Sequence, residues 1–122
     1  MLKKKILAID DSAIALKQLQ NILESKYDFV GVTGGLAGLK RLDNEAFDLV
    51  LLDIEMPVMD GFATLTSIRQ RMNLRDLPII FLTGTRHKEK VIKGITSGVE
   101  GYIVKPANSE QLLAKIDAVL NG

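Results

Sequence analysis

Five short apolar runs, separated by longer amphipathic stretches, constrain the fold of this chain more than any other feature. The runs are Ile6–Ile9, Phe29–Val32, Leu49–Leu52, Ile79–Leu82 and Tyr102–Val104. They lack the alternation of apolar and polar residues that is typical of half-exposed strands. We therefore expect strands that are buried on both faces of a parallel sheet. Gly31 interrupts the second run, and an internal glycine weakens a strand.

The stretches between these runs carry apolar residues at helical spacing. Leu65, Ile68 and Met72 predict one helix, for which Asp60 is a suitable N-cap. The other helices are predicted from Ala15, Leu19 and Ile22, from Leu36, Leu39 and Leu42, from Val91, Ile92 and Ile95, and from Leu112, Leu113, Ile116, Val119 and Leu120. Gly38 lowers the helical propensity of its segment. Five strand–helix units predict an α/β sandwich with helices on both faces of the sheet.

Length and composition narrow the class of protein further. The chain has 122 residues, of which 47% are hydrophobic and 25% charged, so we expect one globular domain spanning residues 1–122. It has no cysteine, which excludes disulfides and thiolate metal sites, and its net charge of +1 does not favour binding to nucleic acid or membranes. No apolar run approaches the roughly 18 residues of a membrane span. These features predict a cytoplasmic protein.

Polar side chains follow four of the five apolar runs. Asp10 and Asp11 follow the first, Asp53 the third, Thr83 the fourth and Lys105 the fifth. Each has an ordinary structural explanation on its own, such as capping a helix or closing a turn. In open α/β sheets, however, ligands bind beyond the carboxyl ends of the strands. We therefore expect these side chains to meet at one edge of the sheet.

The charge of this set indicates a divalent cation. Three carboxylates and one ammonium group leave a net charge of about −2, and crowded carboxylates raise one another's pKa unless a cation joins them. All candidate ligands are oxygens, which favours Mg²⁺. A cation beside an aspartate, a hydroxyl and a lysine suits phosphoryl transfer to the aspartate.

Four motifs in the chain resemble the response-regulator receiver family of two-component signalling, and the resemblance covers nearly the whole sequence. They are Ile9–Ser12 (IDDS), Leu51–Gly61 (LLDIEMPVMDG), Phe81–Gly84 (FLTG) and Gly101–Pro106 (GYIVKP). The resemblance implies a flavodoxin-like three-layer sandwich with five helices. Its five-stranded parallel sheet would have the order 2-1-3-4-5.

The resemblance also implies a role for each site residue. Asp53 would be the phosphoacceptor. Mg²⁺ would be held by Asp10, Asp11, Asp53 and the main-chain carbonyl of Glu55. Thr83, Gly84 and Lys105 would contact the phosphoryl group. Thr83 and Tyr102 would form the switch, and the Lys105–Pro106 peptide bond would be cis.

As a function, the resemblance implies a switch activated by phosphorylation. The donor would be the phosphohistidine of a histidine kinase or histidine phosphotransfer protein. Phosphorylation would change partner binding through the face formed by the fourth helix, fifth strand and fifth helix, toward an effector that the sequence does not name. The protein would be a monomer, or a dimer when phosphorylated. It would catalyse only its own phosphorylation and slow dephosphorylation, and so would not be an enzyme.

Two alternatives remain open at this point. Asp53, Glu55, Thr83 and Lys105 also resemble the site of haloacid-dehalogenase-type phosphatases, although the acidic pair of that family follows the nucleophile in sequence. A receiver domain that serves only as an unphosphorylated scaffold is the other alternative. His87 lies in a charged stretch and is interpreted as a solvated helix start.

Overall fold

Five parallel strands form one sheet in the computed structural model, which describes residues 3–122. The strands are β1 (Lys5–Ile9), β2 (Asp28–Val32), β3 (Leu49–Leu52), β4 (Ile79–Thr83) and β5 (Gly101–Val104). Their order is β2-β1-β3-β4-β5, which confirms the topology expected from the sequence.

The helices follow the strands one by one. They are α1 (Ala13–Leu23), α2 (Gly35–Asn44), α3 (Gly61–Arg69), α4 (Lys88–Ile95) and α5 (Ser109–Asn121), with a short 3-10 helix at Met72–Leu74. Within residues 3–122, none of these helices has the length and apolar character required to span a bilayer.

The core consists of two apolar layers, one on each face of the sheet. Leu7, Ile9 and Phe81 point to the layer covered by α2 and α3, whereas Ile6 and Ile80 point to the layer covered by α1 and α5. Neighbouring residues of one strand are thus buried on opposite faces, as a parallel sheet between helices requires. This explains why the apolar runs show no alternation.

Side-chain caps fix the beginnings of three helices. Ser12 caps α1 by accepting a hydrogen bond from the main-chain N–H of Ala15 at 3.1 Å. Asp60 caps α3 in the same way, as predicted, and Asn108 caps α5. These caps satisfy N–H groups that have no partner inside the helix.

Gly38 does not prevent α2 from forming, because this glycine is required by packing. A Cβ atom at position 38 would lie 2.4 Å from Cδ1 of Ile9. The low helical propensity of glycine is therefore offset by close contact between α2 and the centre of the sheet.

One helix is shorter than its apolar spacing predicts. Helix α3 ends at Arg69 instead of continuing to Met72, and Met72 is 81% exposed. The guanidinium of Arg69 donates hydrogen bonds to the carbonyl groups of Leu74 and Leu77, so the chain turns back toward β4. The helices that Leu36, Ile92 and Ile95 helped to predict are present, although these three side chains are largely exposed.

Candidate functional site

Three carboxylates meet at the carboxyl end of the sheet. Asp10 and Asp11 follow β1, Asp53 follows β3, and one oxygen atom from each lies within 4.8 Å of the others. Asp10 and Asp53 are only 3% and 7% exposed, whereas Asp11 is exposed. The cluster therefore has two carboxylates anchored in the protein and a third at its solvent side.

The position of Asp53 is fixed by its main chain and by a tight contact from α3. Its N–H donates to the carbonyl of Ile9 at 2.9 Å, and its Oδ1 accepts from the N–H of Ile54 at 2.8 Å. Gly61 packs directly against it, since a Cβ atom at position 61 would lie 2.2 Å from the carbonyl oxygen of Asp53. Only glycine permits this approach of α3 to the strand end.

Lys105 reaches into the acidic cluster from the opposite side. Its Nζ donates a hydrogen bond to Oδ2 of Asp10 and lies 3.7 Å from Oδ2 of Asp53. The main-chain N–H of Lys105 donates to the carbonyl of Thr83 at 2.9 Å, which ties the loop after β5 to the end of β4. The peptide bond between Lys105 and Pro106 is cis.

Burial raises the pKa of Asp53 above its ordinary value, and the negative charge of Asp10 acts in the same direction. The Thr83 hydroxyl, the ammonium of Lys105 and the N–H of Ile54 oppose this shift. One ammonium group therefore does not fully compensate the two buried carboxylates. An all-oxygen donor set with excess negative charge fits a hard divalent cation such as Mg²⁺.

The structure places the remaining predicted residues around this cluster. Thr83 is fully buried, and its hydroxyl accepts a hydrogen bond from the N–H of Thr85 at 3.2 Å. Gly84 is exposed, and a Cβ atom there would meet only Cβ of Lys105, at 3.9 Å. The neighbouring protein atoms therefore do not require a glycine at this position.

Tyr102 lies with its ring against Phe81, at a centroid distance of 6.3 Å. Its hydroxyl is buried and has no hydrogen-bond partner among the described residues. Burial, followed by the charges of Asp53 and Glu55, raises the pKa of Tyr102. The polar end of this side chain is thus close enough to the acidic cluster to be affected by its charge.

A second charged cluster lies beside the site and was not predicted from the sequence. The Glu55 carboxylate lies 3.3 Å from Nζ of Lys90 and 3.7 Å from Nε2 of His87, at the beginning of α4. The Thr85 hydroxyl, then Lys90 and His87, lower the pKa of Glu55. His87 is largely exposed, as expected for a solvated residue at the start of a helix. A charged segment was visible in the sequence, but its pairing with Glu55 depends on the fold.

Comparison with known proteins identifies the family. The family model described as the response regulator receiver domain matches residues 6–117. The chain belongs to the response regulator receiver domain family. It is 38% identical over 116 residues to the transcriptional regulatory protein SpaR of Bacillus subtilis, covering 95% of this chain and 51% of that protein.

Two further relatives show the same relationship. The two-component response regulator ORR24 of Oryza sativa is 40% identical over 111 residues, which are 88% of this chain and 17% of that protein. The structure of chemotaxis protein CheY4 from Vibrio cholerae superimposes with a TM-score of 0.88 and 32% identity, covering 97% of this chain and 99% of that chain. The chain thus spans about half of SpaR and less than a fifth of ORR24.

Membership in the family establishes the general function. This receiver domain is a phosphorylation switch of two-component signalling, and receiver domains are signalling switches and not classical enzymes. Binding of Mg²⁺ and readout through the face formed by α4, β5 and α5 are typical of the family. Receiver domains interact with histidine kinases or phosphotransfer proteins and with effectors.

Proposed function

We propose that Asp53 accepts a phosphoryl group from a phosphohistidine donor, a histidine kinase or histidine phosphotransfer protein. The observation that supports this assignment is the convergence of Asp10, Asp11 and Asp53 with Lys105 at one edge of the sheet. Asp53 is the carboxylate that extends directly from the central strand β3 and is held there by two main-chain hydrogen bonds.

Mg²⁺ would be held by the carboxylates of Asp10, Asp11 and Asp53 and by the main-chain carbonyl of Glu55. When bound, the cation neutralises negative charge on the phosphoryl oxygens. The proposed metal site is supported by its oxygen donors and by their excess negative charge. Retained water molecules would complete the coordination, as is usual for Mg²⁺ in proteins.

The transfer itself uses one carboxylate oxygen of Asp53. This oxygen forms a bond to phosphorus while the phosphorus–nitrogen bond of the donor breaks, and the bonding electron pair stays on the imidazole nitrogen. Lys105, the hydroxyl of Thr83 and the main chain at Gly84 would stabilise the charge on the remaining phosphoryl oxygens. These groups come from the ends of β4 and β5, whereas Asp10 and Asp11 follow β1.

The signal would leave the site through Thr83 and Tyr102. The phosphorylated side chain, with a charge of about −1.5 to −2 in place of the single negative charge of the carboxylate, draws the Thr83 hydroxyl toward the phosphoryl oxygens. Tyr102, whose ring already packs inward against Phe81, would then be held in the space beside Thr83, and this would alter the face formed by α4, β5 and α5. This face carries exposed apolar side chains that suit a protein partner, namely Ile92, Ile95 and Val104.

The proposed function extends to the location and oligomeric state of the domain. Residues 1–122 would act as one receiver domain in the cytoplasm, monomeric before phosphorylation and able to dimerise afterwards, with an effector whose identity is unknown. The domain would turn over no external substrate and would catalyse only its own phosphorylation and dephosphorylation.

The assignment of Asp53 is tested by intact-mass measurement. The protein is incubated with Mg²⁺ and a small phosphodonor such as phosphoramidate, and we expect the mass of one phosphoryl group to be added. The addition should disappear with a chelator and in Asp53→Asn, because that variant lacks the nucleophilic oxygen.

A matched variant controls for the loss of a carboxylate elsewhere. Asp117 is exposed on α5, so Asp117→Asn should be phosphorylated like the wild type. Phosphorylation of Asp53→Asn at the wild-type rate would show that another residue is the acceptor. Continuous release of phosphate from a small phosphate ester would instead favour the phosphatase alternative.

A further inference from the structure

Gly94 is the buried residue of α4, a helix that otherwise lies at the surface. A glycine inside a helix lowers stability relative to alanine, because it loses more conformational freedom on folding. Its φ angle is not in the left-handed region, so the backbone conformation does not require it. The reason for a glycine at this position must therefore lie in what packs against it.

The neighbour that excludes a larger residue is the ring of Tyr102. A Cβ atom at position 94 would lie 2.5 Å from Cε2 and 3.0 Å from Cδ2 of Tyr102, and 3.3 Å from Cδ1 of Ile54. The first distance is shorter than Cβ atoms in proteins adopt, and the other two are tighter than most Cβ contacts. The ring thus occupies the space that the side chain of any other residue would take.

This arrangement keeps the polar end of Tyr102 inside the protein. The hydroxyl is buried without a hydrogen-bond partner in residues 3–122, which is unfavourable by itself. The ring contacts that offset this cost are the edge-on packing against Phe81 and the contact with the flat surface at Gly94. The inward position of the ring, which is partly buried, therefore depends on the absence of a side chain at position 94.

We infer that Gly94 is a positioning residue that holds the ring of Tyr102 inward, with its hydroxyl buried, without requiring a phosphoryl group. The inference rests on the proposed function, in which Tyr102 belongs to the switch. The domain is then already biased toward the arrangement that phosphorylation selects, and Gly94 sets the size of this bias. Replacing Gly94 with alanine excludes the ring, which can leave by rotation about its own side-chain bonds.

The bias has a consequence for phosphorylation through thermodynamic linkage. If the phosphoryl group favours the buried ring, the buried ring favours the phosphoryl group to the same extent. If the molecules with an inward ring are the ones that react with the donor, and alanine reduces their share to about one tenth, phosphorylation under limiting donor should slow by about tenfold.

The position of the ring can be measured without phosphorylation. The chain has two tyrosines and no tryptophan, so Tyr27→Phe leaves Tyr102 as the fluorophore. In this background, Gly94→Ala should increase acrylamide quenching toward the value for free tyrosine. Unchanged quenching in a folded Gly94→Ala protein would overturn the inference.

A thermodynamic cycle separates loss of the ring contact from a general defect in α4. Gly94→Ala should lower the urea midpoint in the wild type but raise it in a Tyr102→Ala background, because alanine is the better helix residue once the ring is gone. Equal lowering in both backgrounds would overturn the inference and would place the conflict at Ile54.

Phosphorylation by phosphoramidate and Mg²⁺ provides the functional measurement. Gly94→Ala should slow it in the wild type and have no further effect in the Tyr102→Ala background. Equal slowing in both backgrounds would contradict the coupling. If Asp53 proves not to be the acceptor, acrylamide quenching and the urea cycle still decide the role of Gly94. Failure of the proposed function can therefore be distinguished from failure of this inference.

Discussion

Substitution of Gly61 with alanine tests how tightly the fold holds Asp53, the proposed phosphoacceptor. The new Cβ atom would lie 2.2 Å from the carbonyl oxygen of Asp53 and 2.7 Å from Cα of Ile54. Both neighbours are main-chain atoms, so no flexible side chain can yield. Reaching an ordinary contact requires a relative movement of about 1 Å between α3 and the end of β3.

The structure gives the expected size of the effect. Overpacking of this kind costs about 1–3 kcal/mol of unfolding free energy, and a main-chain conflict belongs at the upper end. A displacement of about 1 Å in a reacting group reduces rates by as much as about a hundredfold. Gly61→Ala should therefore lower the urea midpoint and slow phosphorylation of Asp53 by about ten- to a hundredfold.

The matched control is Ala63→Gly, in the same first turn of α3. Ala63 is exposed, and its N–H can still donate to Asp60 in the variant. The control should lose about 1 kcal/mol of helix stability but should be phosphorylated at the wild-type rate. Both rates are measured by intact mass with phosphoramidate and Mg²⁺. Wild-type phosphorylation of Gly61→Ala, or equal slowing in both variants, would refute the reasoning.

Mg²⁺ at about ten times its dissociation constant should stabilise the wild type by about 1.4 kcal/mol in urea unfolding. The stabilisation by Mg²⁺ should be smaller in Asp11→Asn. Equal stabilisation of this variant would show that Asp11 does not bind the metal. Tyr27→Phe should raise the free energy of unfolding by about 1 kcal/mol, because the Tyr27 hydroxyl is buried without a hydrogen-bond partner among the described residues. A loss of stability in urea unfolding would indicate that this hydroxyl binds a partner such as water.

The strands and the acidic cluster could be predicted from local sequence patterns. The run Leu49–Leu52 coincides with β3, and the other four strands differ from the predicted runs by one residue at one end. Parallel pairing then brings the residues after each strand to the same edge. This is why Asp10, Asp53 and Lys105 could be expected to meet before any distance was known.

Features that depend on contacts between distant segments could not be predicted in this way. The pairing of Glu55 with Lys90 requires the relative position of the loop after β3 and helix α4, and the two residues are 35 positions apart. Val58 has a φ of 69°, a conformation that β-branched residues rarely adopt and that its residue type does not predict. Helical spacing likewise predicted α4 but not that Ile92 and Ile95 remain exposed, because nothing in residues 3–122 covers them.

The bond between Lys105 and Asp10 joins residues that are 95 positions apart. A chain still emerging from the ribosome, with its last strand inside the exit tunnel, would have the acidic residues but no ammonium group beside them. Contacts of such long range form only when most of the domain has folded. Under the proposed roles of Asp53 and Lys105, competence to receive a signal would therefore coincide with completion of the fold, and truncated or unfinished copies would take no phosphate from the pathway.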